Sequence, residues 1–383
     1  MPQKTIILFL LATILSPVFA SGQGDNEDRG AIASQEKQPP ANGFIITDST
    51  GRVVEFDSPP ERIFQAGKAA FITTNTLYLF PEARERFLGT SMADQGFGFL
   101  AGIIDPSMKD KQVYNQNIGV EELISLRPDL VIMKDFLVGS MEKPLTDFGI
   151  HTIFMNLETP EAFYSEIETL GVVFDNELRA EELNQWYRGK MREIEEALIL
   201  PESSSSDSLE SSDPPEVLIL YYNIKDGISS FNVPPMSYMQ TDMVLKGGGI
   251  PAWRDMELGN RWTKVGLEQI AAWNADYVII ISYSTPAGVI VERLKEDPLW
   301  QSLTAVKNSH LYPFPRDFHS WDQPGPGWIL GYRWMAGILN PDLISSLPSA
   351  MEDEARAFYK FAFGVDDELF EREIVRKIRG EAD

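Results

Sequence analysis

One short stretch near the C-terminus carries the residues best suited to chemistry. It combines an arginine, a histidine and two acids with two aromatic rings, within seven positions: Arg316, Asp317, Phe318, His319, Trp321 and Asp322. Three kinds of site use such residues. They are a hydrolytic site with His319 beside Asp317 and Asp322, a metal site with one His and two Asp ligands, and the wall of a binding pocket.

The stretch is best interpreted as part of a binding wall. The sequence contains no Gly-x-Ser-x-Gly, His-Glu-x-x-His or glycine-rich phosphate loop that would support a hydrolase. The other two histidines, His151 and His310, precede core strand residues and are not expected to converge on His319. The arginine is a planar cation that binds carboxylates and stacks on rings, which suits an anionic or aromatic metal chelate. We therefore predict no catalytic residue, no protein-bound metal and no cofactor.

The elements that must position this stretch alternate between short apolar strands and helices. This alternation predicts parallel sheets covered by helices on both faces. Between Leu183 and Leu198 apolar residues recur at spacings of three and four, which predicts a long helix. The expected organisation is an N-terminal α/β lobe over 43–160, a linking helix over 161–200, a flexible Ser/Asp/Pro loop over 201–215, and a C-terminal α/β lobe with C-terminal helices over 216–383.

The N-terminus predicts secretion. Residues 1–20 have one lysine, an apolar run and a small-residue cleavage site, the pattern of a cleavable signal peptide, and residues 21–42 are a polar leader expected to be disordered. The chain has no cysteine, so we expect no disulfide and no lipid on an N-terminal cysteine. The net charge of –24 disfavours nucleic acid and anionic membrane as partners. These features predict a protein free in a periplasm.

In sheets of this kind ligands bind beyond the carboxyl ends of the strands, which here means the cleft between two lobes. The candidates that follow first-lobe strands are Lys68, Phe71, Met92, Gln95, Phe97, Phe99, Lys134 and Phe136, with Gly96 and Gly98 allowing close backbone approach. Those of the second lobe are Tyr222, Asn223, Phe231, Met236, Trp262, Tyr283, Arg316, Phe318, His319 and Trp321.

Four segments, taken in order, carry a family resemblance. They are "ITDSTGRVVEFDSPPERIF", "GVEELISLRPDLVIMKD", "VGLEQIAAWNADYVIII" and "SHLYPFP", the last followed by an aromatic-rich helix. Over residues 44–345 the chain resembles the helix-linked (class III) periplasmic substrate-binding proteins of ABC importers for ferric siderophores, haem or cobalamin. The resemblance implies two Rossmann-like lobes with parallel sheets, joined by one long linking helix, and a ligand cleft between them.

The resemblance also implies a function. The expected protein is a monomer and not an enzyme, and it captures an iron- or cobalt-containing chelate and delivers it to a membrane permease. In the family a glutamate on each lobe docks to the permease, and the matching positions are Glu121 and Glu268. The candidate cleft matches neither the several arginines of many siderophore binders nor the Tyr or His iron ligand of haem binders. Ligand identity therefore stays open, and the alternatives are a binder of a bare metal ion or oxyanion, or a secreted hydrolase using His319 with Asp317 and Asp322.

Overall fold

The computed structural model describes residues 43–91, 96–199, 213–225, 228–341 and 350–380. The predicted signal peptide and leader lie outside the described residues, as do residue 200 of the predicted linking helix, residues 201–212 of the predicted loop, and the candidate residues Met92 and Gln95. Within the described part of the chain, no helix combines the length and the apolar character that crossing a bilayer requires.

The first lobe is a parallel sheet preceded by a hairpin. Strands β1 (Phe44–Thr47) and β2 (Val53–Phe56) pair antiparallel around a turn in which Asp48 accepts the backbone N–H of Thr50 and Arg52. The sheet comprises β3 (Ile63–Gln65), β4 (Phe87–Ser91), β5 (Gln112–Tyr114), β6 (Leu130–Lys134) and β7 (His151–Met155). Its order is β5-β4-β3-β6-β7 and every pair is parallel, which confirms the parallel sheet predicted for this lobe.

Helices cover both faces of this sheet and bring its loops to one edge. They are α1 (Ala70–Leu77), α2 (Ala83–Arg86), α3 (Leu100–Ile104), α4 (Val120–Ser125) and α5 (Val138–Thr146), with 3₁₀ turns at Pro106–Asp110 and Asp135–Leu137. The central strand β3 and its neighbour β6 are buried along their whole length, as expected for strands of a parallel sheet with both faces covered.

The segment that links the lobes differs from the prediction. Instead of one helix over 161–200 it forms two, α6 (Pro160–Phe174) and α7 (Glu177–Leu198). Asp175 adopts a left-handed conformation at φ 57°, and the Asn176 side chain caps α7 by accepting the N–H of Arg179. The two helices pack side by side, with Asn184 donating to the carbonyl oxygen of Tyr164. A periodic apolar pattern does not reveal this break, since both helices contribute apolar faces to the same core.

The second lobe has a mixed sheet, which corrects the prediction of a wholly parallel one. Its strands are β8 (Glu216–Lys225), β9 (Ile228–Val233), β10 (Ile250–Pro251), β11 (Thr263–Val265), β12 (Tyr277–Ile281) and β13 (Leu311–Pro313). The order is β11-β9-β8-β12-β13 with β10 beside the start of β8. Strands β10, β12 and β13 run parallel to β8, whereas β9 and β11 form an antiparallel extension. A short connection after β8 produces a hairpin here instead of a crossover helix.

Helices of the second lobe follow the predicted order. They are α8 (Met239–Lys246), α9 (Leu267–Trp273), α10 (Ala287–Glu296), α11 (Thr304–Lys307) and α12 (Trp328–Leu339), with a 3₁₀ turn at Trp300–Ser302. The C-terminal segment contains α13 (Met351–Phe363), α14 (Asp367–Leu369), a π-helical turn (Phe370–Ile374) and α15 (Val375–Ile378).

Candidate ligand-binding site

Two predicted site residues from different lobes stack on each other. The rings of Phe71, in α1, and His319 lie 4.4 Å apart between centroids and within 7° of parallel. Asn75, one turn further along α1, places its Nδ2 3.3 Å from Nδ1 of His319. The first lobe thus holds the imidazole through one flat contact and one polar contact.

Asp317 organises the loop that presents His319. One carboxylate oxygen, Oδ2, accepts hydrogen bonds from Trp321 Nε1 at 2.8 Å and from the Tyr359 hydroxyl at 2.6 Å. The other, Oδ1, accepts the backbone N–H of His319 at 3.1 Å. Burial raises the pKa of the Tyr359 phenol, and the Asp317 carboxylate adds to that shift. The Asp317 carboxylate therefore stabilises the conformation of the loop, which is a different role from the hydrolytic one considered above.

The two aromatic side chains of this loop that were predicted to form a binding wall point into the protein interior. Phe318 is fully buried and Trp321 is 2% exposed, so neither ring presents a surface to solvent. Gly98 makes room for Phe318: it adopts φ 98°, and a Cβ at this position would lie 3.3 Å from the ring. The Arg316 guanidinium lies over the ring of Phe97, which joins the loops of the two lobes at a second point.

A cavity lies behind the His319 loop. It has a volume of about 30 Å³ and lies between α1, the loop and α13, with Phe71, Asn75, His319 and Tyr359 among its lining residues. Its walls therefore come from both lobes and from the C-terminal helix.

The second lobe presents an aromatic cluster that includes a residue missed from the sequence. Tyr221 packs against Trp262 at 5.3 Å and Tyr283 at 4.7 Å between ring centroids. The Tyr283 hydroxyl donates to Oδ2 of the fully buried Asp322 at 2.6 Å, and Gln240 Nε2 donates to the same oxygen at 3.1 Å. Burial raises the pKa of Tyr283 and also that of Asp322. The buried Asp322 carboxyl group therefore holds the Tyr283 ring of the cluster in place.

The neighbouring strand residues point to the opposite face of the sheet. Tyr222 pairs with Phe231 across the β8–β9 hairpin, and Phe231 packs 5.1 Å from Trp300. Successive residues of a strand alternate between faces, so Tyr222 and Phe231 do not join the cluster around Tyr221. Asn223, two residues after Tyr221 in β8, returns to the face of the cluster; it is half-buried and lies opposite Ser230.

Lys134 lies in the interior of the first lobe instead of in open solvent. Its side chain is 2% exposed, and the ammonium group donates to Glu158 Oε1 at 2.9 Å and to the carbonyl oxygen of Asn156. Asn156 Nδ2 in turn donates to Asp135 at 2.6 Å. The Lys134 ammonium group, which was predicted to contact the ligand, is thus bound by the segment that follows β7.

That segment is also where the lobes meet. The backbone N–H of Met239 in the second lobe donates to the carbonyl oxygen of Glu158 at 3.0 Å. Leu157 adopts a left-handed φ of 61°, and Glu166 Oε1 accepts the N–H groups of Asn156 and Leu157. Burial raises the pKa of Glu166 to about 7, although these N–H donors and Lys134 oppose the shift. Glu166 therefore holds a strained connection between the lobes.

The remaining candidates lie at the strand ends with varied exposure. Lys68 is exposed, Phe136 is 50% exposed and Met236 is 40% exposed, whereas Phe99 is half-buried at the start of α3. Tyr238, beside Met239, is a further residue that the sequence did not single out. Burial raises its pKa, and the Glu158 carboxylate of the first lobe adds to the shift. Its hydroxyl donates to the carbonyl oxygen of Asn260 in the second lobe at 3.1 Å.

Glu121 and Glu268 occupy equivalent places in the two lobes. Glu121 lies in the first turn of α4 after Gly119, and Glu268 lies in the first turn of α9 after Gly266. Both side chains are exposed. Over the described residues, no group of three or more His, Asp or Glu side chains is placed to hold a metal ion.

Comparison with known proteins identifies the family. The family model for "Periplasmic binding protein" matches residues 110–317, more than half of the chain. The chain belongs to the periplasmic binding protein family. The match runs from just before β5 of the first lobe to Asp317, so this binding protein has part of its candidate site within the shared region, whereas Phe71 and His319 lie outside it.

Individual relatives agree on the fold and differ in what their names say they bind. The substrate-binding lipoprotein YvrC of Bacillus subtilis, an ABC transporter component, is 23% identical over 86% of this chain and 96% of its own. The petrobactin-binding protein YclQ of the same organism is 22% identical over 81% and 90%. The solved structure of the molybdate-binding protein MolA of Haemophilus influenzae, bound to molybdate, superposes with a TM-score of 0.65 at 17% identity, over 84% of this chain and 98% of MolA.

These relatives bear on two expectations. They are named as binding proteins, in keeping with a binding role for this binding protein and not an enzymatic one. YvrC is named as a lipoprotein, which conflicts with the expectation of a protein without a lipid anchor. The present sequence contains no cysteine to carry a lipid.

Proposed function

We propose that this protein is the substrate-binding subunit of an ABC importer and captures a metal chelate, namely a ferric siderophore, haem or a corrinoid. It acts as a monomer that binds the chelate between its lobes and delivers it to a membrane permease. The names of YvrC and YclQ support the importer and the chelate respectively. We further propose that residues 1–20 are a cleaved signal peptide that directs it to the periplasm.

The cluster of Tyr221, Trp262 and Tyr283 is the observation that carries this proposal. Tyr221 packs within 5.3 Å of both other rings, and the three half-buried rings offer an apolar aromatic surface of the kind that contacts an aromatic or macrocyclic ligand. Arg316, at the junction of the lobes, supplies a planar cation for the carboxylate or catecholate edge of a chelate. Lys68 and Phe136 are exposed at the facing strand ends and complete the proposed contact surface.

An oxyanion is the rival ligand, because MolA binds molybdate. A small oxyanion needs several N–H or O–H donors around a compact site, and large aromatic rings contribute little to it. Lys134, the one buried cation among the predicted site residues, already binds Glu158. The aromatic cluster therefore favours the chelate.

Docking to the permease is proposed to use Glu121 and Glu268. Both are exposed in the first turn of a helix, one on each lobe. Replacing both with alanine is expected to abolish chelate uptake by vesicles carrying the permease while leaving chelate binding unchanged. Glu122→Ala is the matched control, since Glu122 is an exposed neighbour on the same helix. Uptake equal to wild type in the double variant would remove these residues from the docking surface.

A tryptophan-fluorescence titration tests the proposed function. The purified protein is titrated with ferric siderophores, haemin, cyanocobalamin, molybdate and simple metal salts. The expected result is saturable quenching by one chelate, since Trp262 lies in the cluster, and loss of most of that quenching in Trp262→Phe. A response to molybdate or to a simple salt, with none to the chelates, would overturn the chelate proposal.

A further inference from the structure

The C-terminal helix α13 contacts both lobes as well as the linking helices. Arg179 of α7 donates to the carbonyl oxygens of Phe361 at 3.0 Å and Ala362 at 3.1 Å, and Arg84 of the first lobe donates to that of Phe363 at 3.2 Å. These are the carbonyl groups that a helix leaves unpaired at its C-terminus, where positive charge is also favoured. The end of α13 is therefore fixed to the first lobe and to the linker.

The same arginine ties this helix end to α1. Arg179 Nε donates to the carbonyl oxygen of Leu79, just after α1, at 3.1 Å. The start of α1 holds His319 through Phe71. The end of helix α13 and the His319 loop are thus both held by α1 of the first lobe, one at each end of that helix.

From this fixed helix, Tyr359 reaches the loop. Its ring is 1% exposed, and its hydroxyl donates to Asp317 Oδ2, the oxygen that also accepts from Trp321. Asp317 in turn holds the backbone N–H of His319. A second contact runs from Lys377, whose ammonium lies 5.2 Å from the centroid of the Phe318 ring. None of these C-terminal residues lies within residues 110–317, the region that matches the family model.

We infer that the C-terminal helices are a positioning element for ligand binding, with Tyr359 as the positioning residue that sets the His319 loop through Asp317. Tyr359 touches no ligand in this scheme. It determines where Arg316 and His319 stand relative to the first lobe. The inference rests on the proposed function insofar as those two residues contact the chelate.

The test compares two conservative variants, each of which removes one buried hydroxyl. Tyr359→Phe loses the donor to Asp317. Tyr332→Phe is the matched control, since Tyr332 is 1% exposed and donates to the carboxylate of Asp242 at 2.5 Å, inside the second lobe. Amide hydrogen exchange is measured over residues 316–322. We expect exchange about tenfold faster there in Tyr359→Phe than in Tyr332→Phe, because loss of one charge-assisted hydrogen bond loosens the loop locally.

Affinity supplies the second readout. The chelate that quenches the wild type is expected to bind Tyr359→Phe about fivefold more weakly. In a background that carries both Arg316→Ala and His319→Ala, adding Tyr359→Phe is expected to cause no further loss of affinity. An equal fivefold loss in that background would overturn the inference, because it would show that Tyr359 does not act through the two loop residues. Exchange over 316–322 no faster than in Tyr332→Phe would overturn it too.

The failure of the proposed function is distinguishable from the failure of this inference. If no chelate binds the wild type, the chelate proposal fails, and the exchange measurement alone decides whether Tyr359 sets the loop. If Tyr359→Phe does not fold, Arg84→Met replaces it. That variant removes one bond to the end of α13 and is expected to speed exchange over 316–322 by a smaller factor. Exchange in Arg84→Met equal to the wild type would then overturn the inference.

Discussion

The hydroxyl of Tyr283 donates to Oδ2 of Asp322 at 2.6 Å, and the carboxylate that receives it is fully buried. Tyr283→Phe is expected to lower the free energy of unfolding by about 2 kcal/mol, because a buried carboxylate loses one of its donors. Urea denaturation measures the change. Tyr222→Phe, on the next strand and the opposite sheet face, is the control and is expected to cost much less. Equal losses in the two variants would contradict a special role for the Tyr283–Asp322 pair.

Tyr221 and Tyr222 are adjacent in sequence and are expected to differ in ligand binding. Tyr221→Leu removes a ring from the cluster with Trp262 and should weaken chelate binding roughly 3- to 10-fold, the value of one aromatic contact. Tyr222→Leu alters the face that packs on Phe231 and should leave affinity within about twofold while costing stability. Fluorescence titration of both variants with the same chelate makes the comparison. The reverse order of effects would place the ligand on the other face of the sheet.

Glu166 is expected to make stability depend on pH. Burial raises its pKa in the folded protein to about 7, above the usual value of a glutamate, so the folded state binds the proton more tightly than the unfolded state does. Stability from this group is therefore greatest in acid and falls as pH rises from about 4.5 to about 7, by at most roughly 3 kcal/mol.

Glu166→Gln keeps the oxygen that accepts from Asn156 and Leu157 but does not titrate. It is expected to be the more stable protein at pH 8 and nearly equal to wild type at pH 5, as measured by urea unfolding. Glu168→Gln, on the same helix with a largely exposed side chain, is the control and should show no such difference. The same pH profile in Glu166→Gln and the wild type would show that another group is responsible.

Lys134 is expected to matter for stability more than for affinity. Lys134→Met leaves Glu158 without its partner at 2.9 Å and should destabilise the protein by about 3 kcal/mol. Adding Glu158→Gln should recover part of that loss, since the unpaired carboxylate is then gone. Thermal unfolding and chelate titration of the folded variants provide the measurements. A large loss of affinity in a variant of unchanged stability would instead assign the ammonium group to the ligand.

The sequence predicted the lobes and most strands because buried parallel strands form short apolar runs separated by helices. It did not separate Tyr221 from Tyr222, because a shift of one residue changes the face of a strand and nothing local determines that register. The polar pattern of the segment that forms β9 does not predict a strand, since its pairing with β8 depends on the whole lobe. The apolar periodicity that predicts the long helix runs from Leu183 to Leu198, entirely within α7, so it does not reveal the break at Asp175 between α6 and α7.

Within the site, the sequence predicted where residues lie better than it predicted what they contact. Arg316 and His319 do lie where the lobes meet, as their place after the last strand of the second lobe predicted. Asp317 and Asp322 looked like partners for catalysis, but their contacts come from Tyr359 and Tyr283, which are distant in sequence. Such long-range hydrogen bonds leave no pattern in the sequence around the acid.

The equivalent placement of Glu121 and Glu268 has a consequence for symmetry. A partner that recognises both must offer two like basic sites, one for each lobe. The lobes themselves are not interchangeable, because one carries a parallel sheet and the other a mixed one with the His319 loop. A partner with two identical halves can therefore bind the protein in either of two orientations. In each orientation the His319 loop lies over only one half of that partner, so release of a ligand past this loop treats the two halves differently.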